Sequence, residues 1–291
     1  DPQSVEVASY YQRVRNIPSR NMIHLNFDQN KIYPGFTSNQ GIDPAEFAAL
    51  KAQVDAAVGP EIQAFVVSWS RPFRIAGFNY YFSNYSITSA FTFGIDAAYL
   101  TSKNCAATPV NRYYGSASTA PYTDFGIRPT MMLAGVSTTS VKATIDTGLK
   151  ADRNLPGGNG WFVRTADSVR SGPRLRDFQT TVQNWNRPEA LTMTYFDYST
   201  NGGRSEVKNA ANILFYQTGL ANVPGLNTNT YAPGALADHL TSNGGNLFGT
   251  EQMSALRWLE AGVTASYGTV TEPCTHTEKF PAASVLVKSY F

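Results

Sequence analysis

Charge is scarce in this sequence. Asp, Glu, Lys and Arg together supply 15% of the 291 residues, against about 25% in an average globular domain. No run of Lys or Arg occurs, and 23 basic against 21 acidic residues leave a formal net charge of +2. A nucleic-acid binder carries a basic stripe, so nucleic acid is excluded as a partner. No apolar stretch approaches the roughly 18 residues that span a bilayer, so no transmembrane segment is expected. No GxGxxG, P-loop, HExxH or GxSxG pattern occurs, and no EF-hand-like run of ligands is present. No cofactor and no metal are therefore expected. Histidine is limited to three residues and cysteine to two. Cys105 and Cys274 lie too far apart in sequence for a CxxC metal or redox pair. An initiator Met and a signal peptide are also missing; the chain opens with Asp1-Pro2-Gln3, as a processed or truncated chain would.

What is present is apolar and neutral polar. Aromatics make up 13% and apolar residues 42%, enough to bury a core and to exclude disorder. Asn, Thr, Ser, Gly and Tyr crowd the loops. The low charge, these loops and the even cysteine count point to an exported protein, in an extracellular, periplasmic or cell-surface setting. The two thiols form either one disulfide closing a long loop or two unrelated thiols in a reducing compartment.

Hydrophobic periodicity alternates along the chain. Val5, Val7, Tyr10, Tyr11 and Val14 predict a first helix, ended by Asn16-Ile17-Pro18. Met22 to Phe27 reads as a strand. Asp43-Pro44-Ala45-Glu46 reads as a capped helix start, continued on one face by Phe47, Leu50, Val54 and Val58. Ile62 to Trp69 is a nearly continuous apolar run, as suits a strand covered on both faces. Thr130 to Val136 is another, followed by a helix from Ser137 to Lys150 with Val141, Ile145 and Leu149 in register. Gly160 to Val163 is strand-like, and Leu175, Phe178, Val182 and Trp185 form a helical stripe. Strands are predicted at 191–196, 213–216, 235–241 and 262–270, with helices at Glu251–Ala261 and Pro281–Phe291. Such alternation predicts an α/β fold: a mostly parallel sheet with helices on both faces. The stretch 77–124 breaks the rhythm and reads as an aromatic-rich insertion. Phe78, Tyr80, Tyr81, Phe82, Tyr85, Phe91 and Phe93 are too apolar to leave wet, so it is expected to be ordered. The whole of 1–291 reads as a single domain.

Few residues offer chemistry. His24 lies between apolar residues and reads as a packed or edge-strand histidine. His239 falls in Ala237-Asp238-His239-Leu240, at the carboxyl end of a predicted buried strand, where open α/β sheets bind ligands. Within a strand, Asp238 and His239 point to opposite faces, so they form no direct couple. Gln217 ends the preceding strand, Ser242 follows His239, and Glu272-Pro273-Cys274-Thr275-His276 follows the next strand. Parallel strands bring these ends to one edge of the sheet. A polar ligand cleft of Gln217, Asp238, His239, Ser242 and Glu272 is therefore expected. Its catalytic candidates are His239 as general base with Asp238 and Glu272, or a Cys274–His276 thiolate pair. Asp96 either caps a helix or lines a site.

Taken together, Ser4 to Tyr11 with Arg15 to Pro18, Val67 to Ile75, Ile95 to Ala97, Thr139 to Lys150, Pro233 to Leu240 and Gly262 to Pro273 resemble, in order, an uncharacterised exported bacterial family. That family is similar to the gingipain and caspase-like cysteine peptidases. The resemblance implies a caspase-like three-layer sandwich. It also implies a strand before the first helix and a Gly-Asp-Pro-Leu segment after the last, so the chain is expected to be a fragment of a longer one. By order, Gln217-Thr218-Gly219 stands where gingipain-like enzymes have His-Gly, and Asp238-His239 stands where they have the nucleophilic cysteine. The peptidase dyad is thus missing. Two functions follow: a binding or surface-assembly protein that takes a protein partner or self-assembles, or a hydrolase using Asp238/His239/Glu272 or Cys274/His276. The state of Cys274 separates them.

Overall fold

The first two helices are opened by capping side chains. Asp1 accepts from the Gln3 amide at 2.8 Å and opens α1 (Pro2–Arg15). Asn16, in the left-handed conformation that an Asn tolerates, closes it ahead of Pro18. After β1 (Gly41–Ile42), Asp43 accepts from the amides of Ala45 and Glu46 and opens α2 (Pro44–Ala57), with Pro44 in its first turn. The next elements are β2 (Phe65–Ser68), β3 (Arg74–Ile75), β4 (Tyr85–Ser86), α3 (Ile87–Phe93), α4 (Pro121–Phe125), β5 (Thr130–Leu133) and α5 (Thr138–Ala151). The computed structural model describes residues 1–32, 40–76, 84–99, 105, 107–152, 154, 157–274 and 276–291. Where the sequence reads as a single domain, the chain divides into two compact units, Asp1–Lys142 and Ala143–Phe291.

In the first unit, Phe47, Leu50 and Val54 of α2 pack with Ile75, Ile87 and Phe91. Phe47 meets Phe91 edge to face, centroids 4.9 Å apart. The runs at 62–69 and 130–136 do not join a larger sheet, as the sequence predicts. Among the described residues they shorten to β2 and β5 and pair only with each other, parallel, Val66 opposite Met131. The predicted strand Met22–Phe27 is irregular backbone. Ile23, Leu25 and Phe27 do turn to the core in alternation, but among the described residues no strand lies alongside to make a ladder. Burial of period two marks a strand only when a neighbour supplies the hydrogen bonds. Of the aromatics expected to order 77–124, Phe78, Tyr80, Tyr81 and Phe82 lie outside the described residues. Phe91 is buried, Tyr85 is half-buried in β4, and Phe93 stacks on Tyr99 at 4.5 Å.

The second unit carries the parallel sheet that the alternation predicts. Its elements are β6 (Gly158–Arg164), α6 (Ser168–Ser171), α7 (Leu175–Trp185), β7 (Leu191–Asp197), β8 (Ile213–Thr218), β9 (Tyr231–His239), α8 (Leu256–Glu260), β10 (Ala265–Tyr267) and α9 (Ala283–Lys288). Five strands run in the order β10-β9-β8-β6-β7, every pair parallel. Register places Tyr195, Phe162, Gln217, Asp238 and Tyr267 in one row across the sheet. That face meets α7 and α9: Phe162 packs on Phe178 at 5.5 Å, and Phe215 on Tyr290 at 4.9 Å. The opposite face meets α8, where Trp258 lies on Tyr216 at 4.9 Å. Both faces are thus covered by helices, which is why β8 is buried at every position. Burying rings such as Phe162 and Phe178 contributes roughly 1.5–3 kcal/mol each. The helix expected over Glu251–Ala261 is confined to α8, because Gln252 and Met253 are drawn into loop contacts with Thr241, Asn243 and His239.

Capping sets one expectation for the first unit. Asp43→Ala removes both bonds to the first turn of α2 and lowers stability by about 1 kcal/mol in urea unfolding, whereas Asp43→Asn retains most of it.

Candidate functional site

The carboxyl ends of β8 and β9 bring Gln217 and Asp238 side by side, as their positions in sequence predict. The structure fills the expected cleft from within. Asp238 is fully buried, and its Oδ1 accepts from Arg174 Nη2 at 2.6 Å, an ion pair whose partners expose 2% and 0% of their side chains. Asp238 Oδ2 accepts from Gln217 Nε2 at 2.8 Å. Arg174 Nη2 also donates to the Thr218 carbonyl at 2.5 Å. The guanidinium sits between the rings of Phe178 and Phe280, 5.2 and 5.8 Å from their centroids. Arg174 was not legible as a site residue. It precedes the apolar stripe of α7 as the N-terminal neighbour of Leu175, and only its position at the head of a buried helix hints at burial.

His239 occupies the other face of β9, as strand alternation requires. Trp258 Nε1 donates to its Nδ1 at 3.0 Å, and its Nε2 lies 2.8 Å from the Met253 carbonyl. Since Nδ1 accepts, Nε2 carries the proton and donates, and the ring is a neutral, fully committed imidazole. Burial pushes its pKa down to about 4, against the opposing pull of the Met253 carbonyl and the Asp238 carboxylate. A general base needs an open nitrogen within reach of a substrate proton. His239 has both ring nitrogens bonded inside the protein and no exposure.

The remaining candidates lie apart from this pair in their bonding. Glu272 accepts from the Cys274 amide at 2.7 Å, and His276 Nδ1 lies 3.0 Å from Glu278 Oε1. The Ser242 carbonyl accepts from the Thr269 hydroxyl at 2.8 Å. Asp96 caps the short turn Ala97–Tyr99 through the Ala98 amide at 2.9 Å, in line with its capping reading. Neither cysteine is a free thiol; Cys105 and Cys274 are both disulfide-bonded. Among the described residues no group of three or more His, Cys, Asp or Glu is placed to hold a metal ion. No helix among them is long and apolar enough to cross a membrane. No protein-family model, curated protein or solved structure matches the chain.

Two outcomes follow from this bonding. Asp238→Asn leaves the Arg174 charge buried and unpaired, and unfolding measurements then show a loss of about 3–5 kcal/mol, whereas Glu272→Gln costs less than about 1 kcal/mol. His239 is held neutral in the fold and protonates in the unfolded chain from its ordinary value of 6.5. Its contribution is therefore present above pH 6.5 and is lost as the pH falls from 6.5 towards about 4. NMR titration is expected to find the His239 ring neutral at pH 5.5, with denaturant midpoints already declining.

Proposed function

We propose that the protein is a non-catalytic binding or surface-assembly protein of an oxidising, exported setting, built on a caspase-like α/β sandwich. One observation carries this reading. At the carboxyl ends of β8 and β9, where an α/β enzyme presents its reactive groups, Asp238 and His239 are fully buried and bonded to internal partners. The bonded state of Cys274 removes the thiolate on which the Cys274–His276 alternative depends. The same state suits an oxidising compartment. The sandwich assignment rests on the order of segments noted above and is supported by an all-parallel sheet with helices on both faces. A binding role is further supported in the first unit, where the register partners Val66 and Met131 are both exposed on one face of their two-stranded sheet. Parallel pairs are ordinarily covered on both sides, so an open apolar pair is a surface suited to a partner.

The test is a panel of ester, amide and glycoside probes offered to the native chain, together with a thiol-directed label. No turnover above blank is expected, and labelling of both cysteines only after reduction. Turnover that disappears in His239→Ala, with the fold intact by circular dichroism, would falsify the reading.

A further inference from the structure

The cluster of Arg174, Gln217 and Asp238 has a feature that internal packing does not account for. Two of its buried polar atoms, Arg174 Nε and Gln217 Oε1, have no hydrogen-bond partner among the described residues. Buried polar atoms in native proteins are overwhelmingly paired, and one left unpaired costs about 1–3 kcal/mol. The group that covers the cluster is the Pro281 carbonyl, 3.2 Å from Gln217 Nε2 and 3.5 Å from Arg174 Nη1. Phe280 beside it is buried, lies over the guanidinium and meets Tyr267 edge to face at 5.9 Å. The covering segment is short. It consists of one turn, Thr277–Lys279, and the six residues of α9. It is fastened by Tyr267 Oη donating to the Lys279 carbonyl at 2.7 Å, and by Asp177, which accepts from the Ala283 amide and the Ser284 hydroxyl at 2.5 and 2.7 Å.

The chemistry of the occupant explains the orphaned oxygen. Pro281 presents a carbonyl but, being proline, no backbone N–H of its own. It accepts from Gln217 Nε2 and Arg174 Nη1 and offers nothing to Gln217 Oε1. A residue other than proline presents both a carbonyl and an N–H. Gln217, whose Nε2 donates to Asp238 and to the Pro281 carbonyl while its Oε1 is left open, is built to read such a residue. We propose that residues 277–282 are an intramolecular stand-in, a lid seated on a recognition site for an extended peptide that carries an aromatic residue followed by a residue other than proline. Arg174, Gln217 and Asp238 form the polar floor of that site, and Phe178 with Tyr267 forms the aromatic wall. This deepens the binding reading by giving it a site and a ligand class, and it rests on that reading only for the direction of function; loss of one leaves the other standing, since the tests differ.

The probe is an acetylated, amidated hexapeptide with the sequence of residues 277–282 and alanine in place of the proline. Phe280→Ala loosens the lid; it takes one ring from over Arg174 and leaves the hydrogen bonds among Arg174, Gln217 and Asp238 in place. Calorimetry with this variant is expected to give at least tenfold tighter binding of the peptide than the unaltered chain does, and at least tenfold tighter binding than of the same peptide retaining proline. Equal affinity for the two peptides, or no binding to a folded Phe280→Ala chain, overturns the proposal. Should Phe280→Ala not fold, hydrogen exchange on the unaltered chain decides. The amides of Lys279 and Phe280, bonded at the lid, are expected to exchange at least a hundredfold faster than those of β8 and β9, by opening of the lid alone; exchange at the rate of those strands overturns it.

Discussion

A guanidinium and a carboxylate cannot leave water together cheaply. Each costs several kcal/mol to desolvate, and their attraction repays this only when further hydrogen bonds complete the set. In the second unit that condition shapes everything around Arg174 and Asp238. The pair needs α7 to begin where it does, so that Arg174 reaches over the ends of β8 and β9. It needs Gln217 in register with Asp238, which fixes the pairing of the two strands. It needs the Thr218 carbonyl as a second acceptor, and the rings of Phe178 and Phe280 to exclude solvent from the cation's faces. The apolar core of Phe162, Phe178, Leu214 and Phe215 supplies the bulk of the stabilisation, yet an apolar core tolerates rearrangement. The ion pair does not.

Much of this was legible in the sequence, and the illegible part has a common cause. Periodicity and caps are local, so the strands at 191–197 and 213–218, the helices at 44–57 and 175–185 and the Asp43 cap could be read from neighbours within a few residues. Pairing is not local. The runs at 62–69 and 130–136 look like members of the same sheet as β8 because apolar, β-branched runs carry no record of which strand lies beside them. The site shows the same divide. Gln217, Asp238 and His239 were placed at strand ends correctly, since that needs only the strand itself. Their partners were not: Arg174 lies 64 residues from Asp238 and Trp258 lies 19 from His239. Without those partners, a buried carboxylate and a buried imidazole cannot be told from an open acid and base.

The two faces of β9 also explain why adjacent Asp and His residues here do not cooperate. Alternation sends Asp238 to the side of α7 and His239 to the side of α8, and each meets its own partner. Arg174 pairs with the Asp238 carboxyl group at 2.6 Å, while Trp258 donates to His239 Nδ1, whose pKa burial lowers to about 4.

That separation has a consequence for the sheet's assembly. Side chains along a strand alternate with period two, so a slip of β9 by one residue exchanges its faces. The slipped strand would carry a bare carboxylate into the apolar layer of Tyr216 and Trp258, and would set an imidazole against the Arg174 cation. Aliphatic runs alone would pay little for such an error. Asp238 and His239, read as neighbours, act as a two-tooth key: a one-residue slip of β9 unseats both teeth at once.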